Sequence, residues 1–414
     1  MTSDRSNRRN EKTSSGQRTS GQRSPEQRTP EQRAARIAAR KKKRRRRAIF
    51  LIVEIAILVV LSIVLFLWMR YGSRAVQALN EIEHIEISSA SLSSNSVTEQ
   101  TEEVRKGFET IAFFGVDNRS EGNYDSGNSD SMIVCAINLD TKEMNMISVY
   151  RDTVMDVDGK GMLRKCNYAY AVGGHENAIN MLNRNLDLNI QDFVAVDFSG
   201  LIDCIDAVGG VEIDVTKEEI QWLNMYIEEM AEDTGRTSKY VQKSGPQLLN
   251  GMQATAYCRI RYTAGDDFMR ATRQRTVISK LVDKAKECNV DQLLDLVTTL
   301  APKVATSFDT NEIIQHAMAL REYSIANTGG YPFFKVAGEY GGNINDAVVP
   351  ATTETNVKKL YEELYADPAH ECSETVLDIS YRIQKKTGVS EKDAVEYNPL
   401  YEGSTSELNK LQTE

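Results

Sequence analysis

The sequence predicts an α/β fold, a mixed β-sheet covered by helices, set behind a single membrane-spanning helix. Three observations carry this reading. Residues 48–69, "AIFLIVEIAILVVLSIVLFLWM", form one apolar run in which Glu54 is the only charge. From Phe108 to about Asp367, short β-rich segments alternate with helical periodicities. Two of the β-rich segments are joined by a turn, and a hairpin among helix-bearing crossovers makes a mixed sheet.

Residues 1–47 hold 17 Lys or Arg against 4 Asp or Glu, although the whole chain is −9, so the remainder is acidic. Gln-Arg recurs every five residues from Gln17 to Arg33, in a Ser, Thr, Pro and Gln background that cannot bury a core; this tail is expected to be disordered. The run 48–69 is long enough to cross a hydrocarbon core of about 30 Å. The block "ARKKKRRRR" in front of it keeps the tail in the cytoplasm and places the C-terminal part outside the cell. No small-residue cleavage pattern follows in "FLWMRYGSRAV", so the run is read as an uncleaved anchor. A basic block beside a membrane span attracts anionic lipid headgroups, at about 1 kcal/mol per side chain. A nucleic-acid-binding arm is the alternative reading of this block; beside a span the headgroup reading is preferred, so no nucleic acid is expected as a partner, and without a recognisable helix-turn-helix the tail is a poor transcription regulator.

Residues 70–105 include "ISSASLSSNS" and predict a polar stalk. "IAFFGVD" (111–117) reads as a buried strand; "SMIVCAIN" and "MNMISVY" flank the turn-forming "LDTKE" as a hairpin. "GHENAINMLNRNL" has helical spacing at Ala178, Ile179 and Leu182, "FVAVDF" is a strand, "LIDCIDAV" a helix stopped by Gly209-Gly210, and "VEIDV" a strand. Helices are expected from about Lys217 to Ala231 and from Asp267 to Cys288, with two more in 290–321. The folded domain is bounded at 106–367, and residues 368–414 read as a polar C-terminal tail. Six cysteines (Cys135, Cys166, Cys204, Cys258, Cys288, Cys372) lie where disulfides are permitted, but none is spaced CxxC and four fall in apolar runs. Most are expected to be buried free thiols.

The stretch "YCRIRYTAGDDFMRATRQR" (257–275) places five arginines in an otherwise acidic part of the chain. Alternation in "YCRIRY" predicts a strand with Arg259 and Arg261 on one face. "AGDD" supplies a turn with Asp266 or Asp267 as helix N-cap. Arg270 then falls in the first helical turn, and Arg273 and Gln274, three and four residues on, share its face. Arg275 lies off that face and is expected to make surface salt bridges. Cations at a helix N-terminus oppose the macrodipole, and an anion among them would resolve the conflict. Arg151-Asp152 ends a hairpin strand, Asp117 closes the first strand and Asp130 opens the second. Two carboxylates with phosphate oxygens and water satisfy a magnesium ion. The combination favours a metal-assisted phosphate or pyrophosphate site.

In order, "GVDNR", "NSDS", "SVYRD", "KCNYAYAVGG", "DAVGGVEIDV", "YCRIRY" and "DDFMRATRQR" resemble the LytR-CpsA-Psr family of cell-wall glycopolymer transferases, over about residues 106–365. The resemblance implies an α/β/α sandwich with a hydrophobic cavity for a polyprenyl tail. It also implies transfer of a glycopolymer, such as a teichoic acid or capsule, from an undecaprenyl-pyrophosphate carrier onto peptidoglycan, with Mg2+ at the pyrophosphate. Position by position, Asp117 and Asp130 resemble the metal-associated carboxylates; Arg151, Arg259, Arg261, Arg270 and Gln274 resemble the pyrophosphate contacts. Lys165 falls in the family's lysine-asparagine motif, and Asp117 or Asp152 is the expected general base. The chain departs from the family's pattern at Asn128, where an arginine is common, and at Tyr150, where a proline is common.

Overall fold

The computed structural model describes Gly72 and residues 80–88, 91–117, 127–263 and 266–396, all within the second of two compact units, residues 70–414. The tail 1–47, the apolar run 48–69 and residues 397–414 lie outside the described residues. Among the described residues no helix is long and apolar enough to cross a membrane.

In chain order, β1 (Glu83–His84) and α1 (Glu99–Lys106) lead into β2 (Phe108–Asp117), β3 (Asn128–Asn138) and β4 (Glu143–Val149). The short β5 (Val154–Asp156) and β6 (Leu163–Lys165) precede α2 (Tyr168–Leu186), β7 (Asp192–Val196), α3 (Phe198–Ala207) and β8 (Val211–Val215). Next come α4 (Glu219–Thr234), β9 (Gly245–Leu249), α5 (Gly251–Tyr257), the long α6 (Asp266–Glu287), α7 (Val290–Leu300), β10 (Val304–Thr306) and α8 (Thr310–Ala319). The described part ends with β11 (Ser324–Tyr331), β12 (Phe334–Gly338), β13 (Ala347–Pro350), α9 (Thr353–Tyr365), α10 (Glu374–Thr387) and β14 (Val395–Glu396).

Seven strands form the central sheet in the order β1-β10-β7-β2-β3-β4-β11. The expected hairpin is there, β3 and β4 pairing antiparallel, while β2 and β7, and β4 and β11, pair parallel. Because β2 is central, its two faces are both covered, which is why "IAFFGVD" is apolar without interruption. Ala112, Phe114 and Val116 pack with Ile179 and Leu182 of α2 and Leu360 and Leu364 of α9. Ile111 and Phe113 face the other way, into a cluster with Ile278 and Val282 of α6 and Ile313 of α8. Helix, sheet and helix thus form three layers. "VEIDV" is a strand as expected, but it belongs to a separate two-stranded sheet with β9, packed on α3, α4 and α5.

Two boundaries differ from the sequence expectation. The segment read as stalk already joins the fold by residue 83, since β1 pairs with β10 and buried Arg105 of α1 donates to the Tyr361 hydroxyl at 3.0 Å and to the Asp187 carbonyl. Residues beyond 367 are likewise no tail as far as 396. Ser373 caps α10, which buries Val376, Ile379 and Ile383, and β14 pairs with β12. The apolar positions of α10 recur at helical spacing, but they are diluted by enough charge that average polarity hid them. Asp187 ties both ends down: its carboxylate accepts from Asn95 at 2.7 Å and from the Ser373 amide and hydroxyl at 2.8 and 2.6 Å. All six cysteines are free. Burial pushes the Cys135, Cys204, Cys258 and Cys372 thiols up to about 12, so they are packing groups rather than nucleophiles.

Candidate functional site

The segment "YCRIRY" is not a strand. Asn250 and Gln253 form a capping box that starts α5, the helix runs to Tyr257, and the Arg259 and Ile260 amides close a turn on the Ala256 and Tyr257 carbonyls. The preceding strand β9 has β8 as its partner, which leaves the next residues to turn rather than extend the sheet. Arg259 and Arg261 nevertheless line one polar cleft of about 410 Å³, together with Asp130, Arg151, Arg270 and Gln274.

Asp130 reaches that cleft through a β-bulge. Gly115 pairs with Ser131 and Val116 with Ser129, so Asp130 is the extra residue in β3 with no partner opposite it on β2. A bulge re-aims the side chain of its extra residue, and Asp130 is turned off the alternation that buries Ser129. Gly115 permits the close approach of the strands here, since a Cβ would stand 3.0 Å from the Ser131 Cβ.

Around Asp130 the charges interlock. Its Oδ1 accepts from Arg151 Nη1 at 2.9 Å, while Oδ2 lies 3.7 Å from both Arg261 Nη2 and Arg270 Nη1, beyond hydrogen-bonding distance. Asp267, at the start of α6, faces the same three arginines, at 3.5 Å from Arg151, 3.9 Å from Arg261 and 2.9 Å from Arg270. Asp152 sits behind, 3.4 Å from Arg151 and 3.1 Å from Lys165. Four cations therefore meet three carboxylates. Burial pushes the Asp130 carboxyl up, but Arg270, Arg151 and Arg261 together outweigh it and hold it below the usual carboxylate range. For Arg151 the carboxylates Asp267, Asp130 and Asp152 outweigh burial and raise its pKa; for Arg270, more deeply buried and facing Arg151 and Arg261, burial prevails and lowers it. The Nε atoms of Arg151 and Arg270 are buried without a hydrogen-bond partner. The Arg270 Nε leaves a buried donor in the cluster for a bound anion.

The cleft opens on an apolar cavity of about 360 Å³ that shares Gly115, Ser131, Phe198, Cys258 and Gln274 with it. The two are joined along one face of α6. Arg270 and Gln274 line the polar part, and Val277, Ile278, Leu281 and Val282, at helical spacing from them, line the apolar part with Phe113, Val194 and Leu201. The site has the form of an amphiphile: a cationic pocket leading into a greasy one.

The other expected residues fall as follows. Asp117 ends β2 opposite Asn128, beside the bulge, and its side chain lies outside the described residues. Lys165 and Asp152 pair with each other and support Arg151 from behind. Arg273 is directed away from the cleft. Its guanidinium donates to the Glu219 carboxylate at 2.8 Å, the Ile260 carbonyl at 3.1 Å and the Thr263 hydroxyl at 2.6 Å, fastening α6 to α4 and to the arginine turn. Breaking such a buried pair costs about 3–5 kcal/mol. Arg273→Ala is accordingly expected to lower the thermal unfolding midpoint markedly while the folded protein keeps its affinity for inorganic diphosphate; a selective loss of diphosphate binding would restore Arg273 to the site. Arg275, expected at the surface, is buried and donates to the Thr272 hydroxyl at 3.1 Å. Asp267 was legible only as a cap, and the cleft residues Tyr226 and Glu229 carried no signal in the sequence, because α4 reaches the cleft only through the tertiary fold.

Residues 68–363 match the model of the LytR_cpsA_psr family. The chain belongs to this LytR-CpsA-Psr family. It is 28% identical over 214 residues to the polyisoprenyl-teichoic acid–peptidoglycan teichoic acid transferase TagU of Enterococcus faecalis (strain ATCC 700802 / V583), which covers 51% of this chain and 65% of the relative. It is 30% identical over 232 residues to the corresponding transferase TagV of Bacillus subtilis (strain 168), 55% of this chain and 56% of the relative. The chain thus spans less than two thirds of the length of these curated relatives. A solved structure described as TagT bound to LIIa-WTA superposes with a TM-score of 0.52 at 19% identity, over 69% of this chain and 99% of that one, a likeness of fold. The mixed α/β architecture with a mixed central sheet matches the fold of this structure neighbour.

Proposed function

We propose that this LytR-CpsA-Psr protein is a phosphotransferase, anchored in the membrane by residues 48–69 with its C-terminal domain outside the cell. It takes a glycopolymer from an undecaprenyl-pyrophosphate carrier and joins it to a peptidoglycan hydroxyl. The observation that carries the proposal is the single face of α6 that passes from Arg270 and Gln274 to Val277, Ile278, Leu281 and Val282. A prenyl chain suits the apolar end and a diphosphate suits the guanidiniums. The names of the relatives, which specify a polyisoprenyl-linked teichoic acid and a peptidoglycan acceptor, support the same substrate class.

In the proposed reaction the acceptor hydroxyl oxygen attacks the sugar-bearing phosphorus. A new P–O bond forms, the bond to the bridging oxygen breaks, and prenyl phosphate leaves with the electron pair. The hydroxyl proton passes to a carboxylate, for which Asp117 and Asp152 are the candidates. Arg151, Arg259, Arg261 and Arg270 hold the phosphate oxygens as charge shifts to the leaving group, so positioning and charge stabilisation supply the catalysis. Magnesium belongs to the proposal as well. Asp130 Oδ2, free of hydrogen bonds at the cleft, fits a divalent cation shared with phosphate oxygens and water, and Asp117 would be its second carboxylate. Bound there, the ion would neutralise diphosphate charge.

Two measurements test the proposal. Lipid-linked donor incubated with the full chain should yield polymer bound to peptidoglycan; release of free polymer whether or not acceptor is present would make the protein a hydrolase. Calorimetry should find magnesium-dependent binding of a prenyl diphosphate that loses its magnesium dependence in Asp130→Asn. Binding indifferent to magnesium in the unaltered chain would remove the metal from the site.

A further inference from the structure

The polar cleft is also lined by side chains of α4 and of the turn that carries Arg261. On α4, Trp222, Tyr226 and Glu229 follow one another at spacings of four and three and so share a face. Tyr226 is buried and holds Arg259, whose guanidinium lies 5.1 Å from the ring centroid, while Glu229 accepts from Arg259 at 2.6 Å. Tyr262, next in the chain after Arg261, lines the same cleft, is 60% exposed, and places its ring 4.8 Å from that of Trp222 at 39°. None of Tyr226, Glu229 and Tyr262 lines the apolar cavity, so they do not belong to the prenyl end of the site.

We propose that Tyr262, backed by Trp222, is a stacking platform for a pyranose ring attached to or accepting the phosphoryl group, with Glu229 at its edge to accept sugar hydroxyls. This rests on the function proposed above and deepens it. A pyranose has an apolar face of C–H groups and a rim of hydroxyls; an exposed aromatic ring and a carboxylate lining one cleft match both, and a prenyl chain or a bare phosphate has no use for that pairing. The ring in question is either the first sugar of the donor or the acceptor sugar of peptidoglycan, both of which offer the same face.

The test compares affinities of the full chain in detergent for undecaprenyl diphosphate, for undecaprenyl-diphospho-N-acetylglucosamine and for a soluble peptidoglycan glycan fragment. Tyr262→Ala should weaken binding of the sugar-bearing lipid by about three- to tenfold, leave undecaprenyl diphosphate unaffected, and be reversed by Tyr262→Phe, which restores the ring. A loss confined to the glycan fragment would assign the platform to the acceptor sugar. Unchanged affinity of Tyr262→Ala for both sugar-bearing probes would overturn the platform, whereas failure of the unaltered chain to bind undecaprenyl diphosphate would overturn the function beneath it. Because Tyr262 is mostly exposed, its removal does not endanger the fold.

Discussion

Arg270→Ala is expected to lower glycopolymer transfer by about 10²–10³-fold, the cost of removing one preorganised donor from a site where negative charge develops. Arg270 is the cation at the centre of the cleft. It stands 2.9 Å from Asp267 and 3.7 Å from Asp130, and it donates to the Asp130 backbone carbonyl at 3.0 Å. Burial also lowers the pKa of its guanidinium. Alanine would leave Asp130 and Asp267 facing the incoming diphosphate with less compensation, so binding and turnover should both fall. Since removal of one partner from a buried pair also destabilises, by about 3–5 kcal/mol, Arg270→Lys is the control. Lysine retains the charge but presents no fork to two oxygens, and it should recover stability more than activity. Turnover of Arg270→Ala within about threefold of the unaltered protein, in a sample shown to be folded, would contradict the assignment, because the loss of a donor that acts in the transition state cannot be so small.

The second large effect concerns the tail. Ile278→Trp is expected to weaken binding of long-chain prenyl diphosphates on the order of 100-fold, since each methylene kept out of the cavity forgoes about 0.8 kcal/mol. Ile278 lines the apolar cavity from α6 and packs with Ile111 and Phe113 of the sheet. A larger ring there fills space that the chain would take, without touching the arginines. Affinity for inorganic diphosphate should therefore be unaltered, and the gain in affinity with prenyl length should flatten in the variant. If the variant and the unaltered chain show the same dependence on prenyl length, the cavity does not hold the tail.

Much of the fold could be read from residue patterns. The uninterrupted apolar run of β2 announced a buried strand, "LDTKE" announced the hairpin, and the capping aspartates with the spacing of Arg270, Arg273 and Gln274 announced α6. Where the reading failed, a local pattern lost to its context. "YCRIRY" alternates like a strand, yet the capping box at Asn250 and Gln253 commits the preceding residues to a helix, and a turn follows. The segment after residue 367 is polar on average, yet three apolar residues at helical spacing suffice to seat α10 on the core. Asp130 and Asp117 were expected to meet at neighbouring strand ends. The neighbouring strands are there, and a bulge at Asp130, which no residue pattern announces, directs that carboxylate among the arginines, while the Asp117 side chain lies outside the described residues.

By itself the sequence determined the materials of the site: guanidiniums at the start of a long helix, carboxylates at strand ends, and apolar side chains further along the same helix. Only the tertiary structure decided which of those guanidiniums face the cleft. Arg273 and Gln274 follow Arg270 by three and four residues, which at 3.6 residues per turn sets them about 60° to one side and about 40° to the other. Spacing fixes those angles about the helix axis but not the direction in which the neighbours lie. Buried Glu219 on α4 captures Arg273 on its side, the cleft takes Gln274 on the other, and that choice was made by long-range packing.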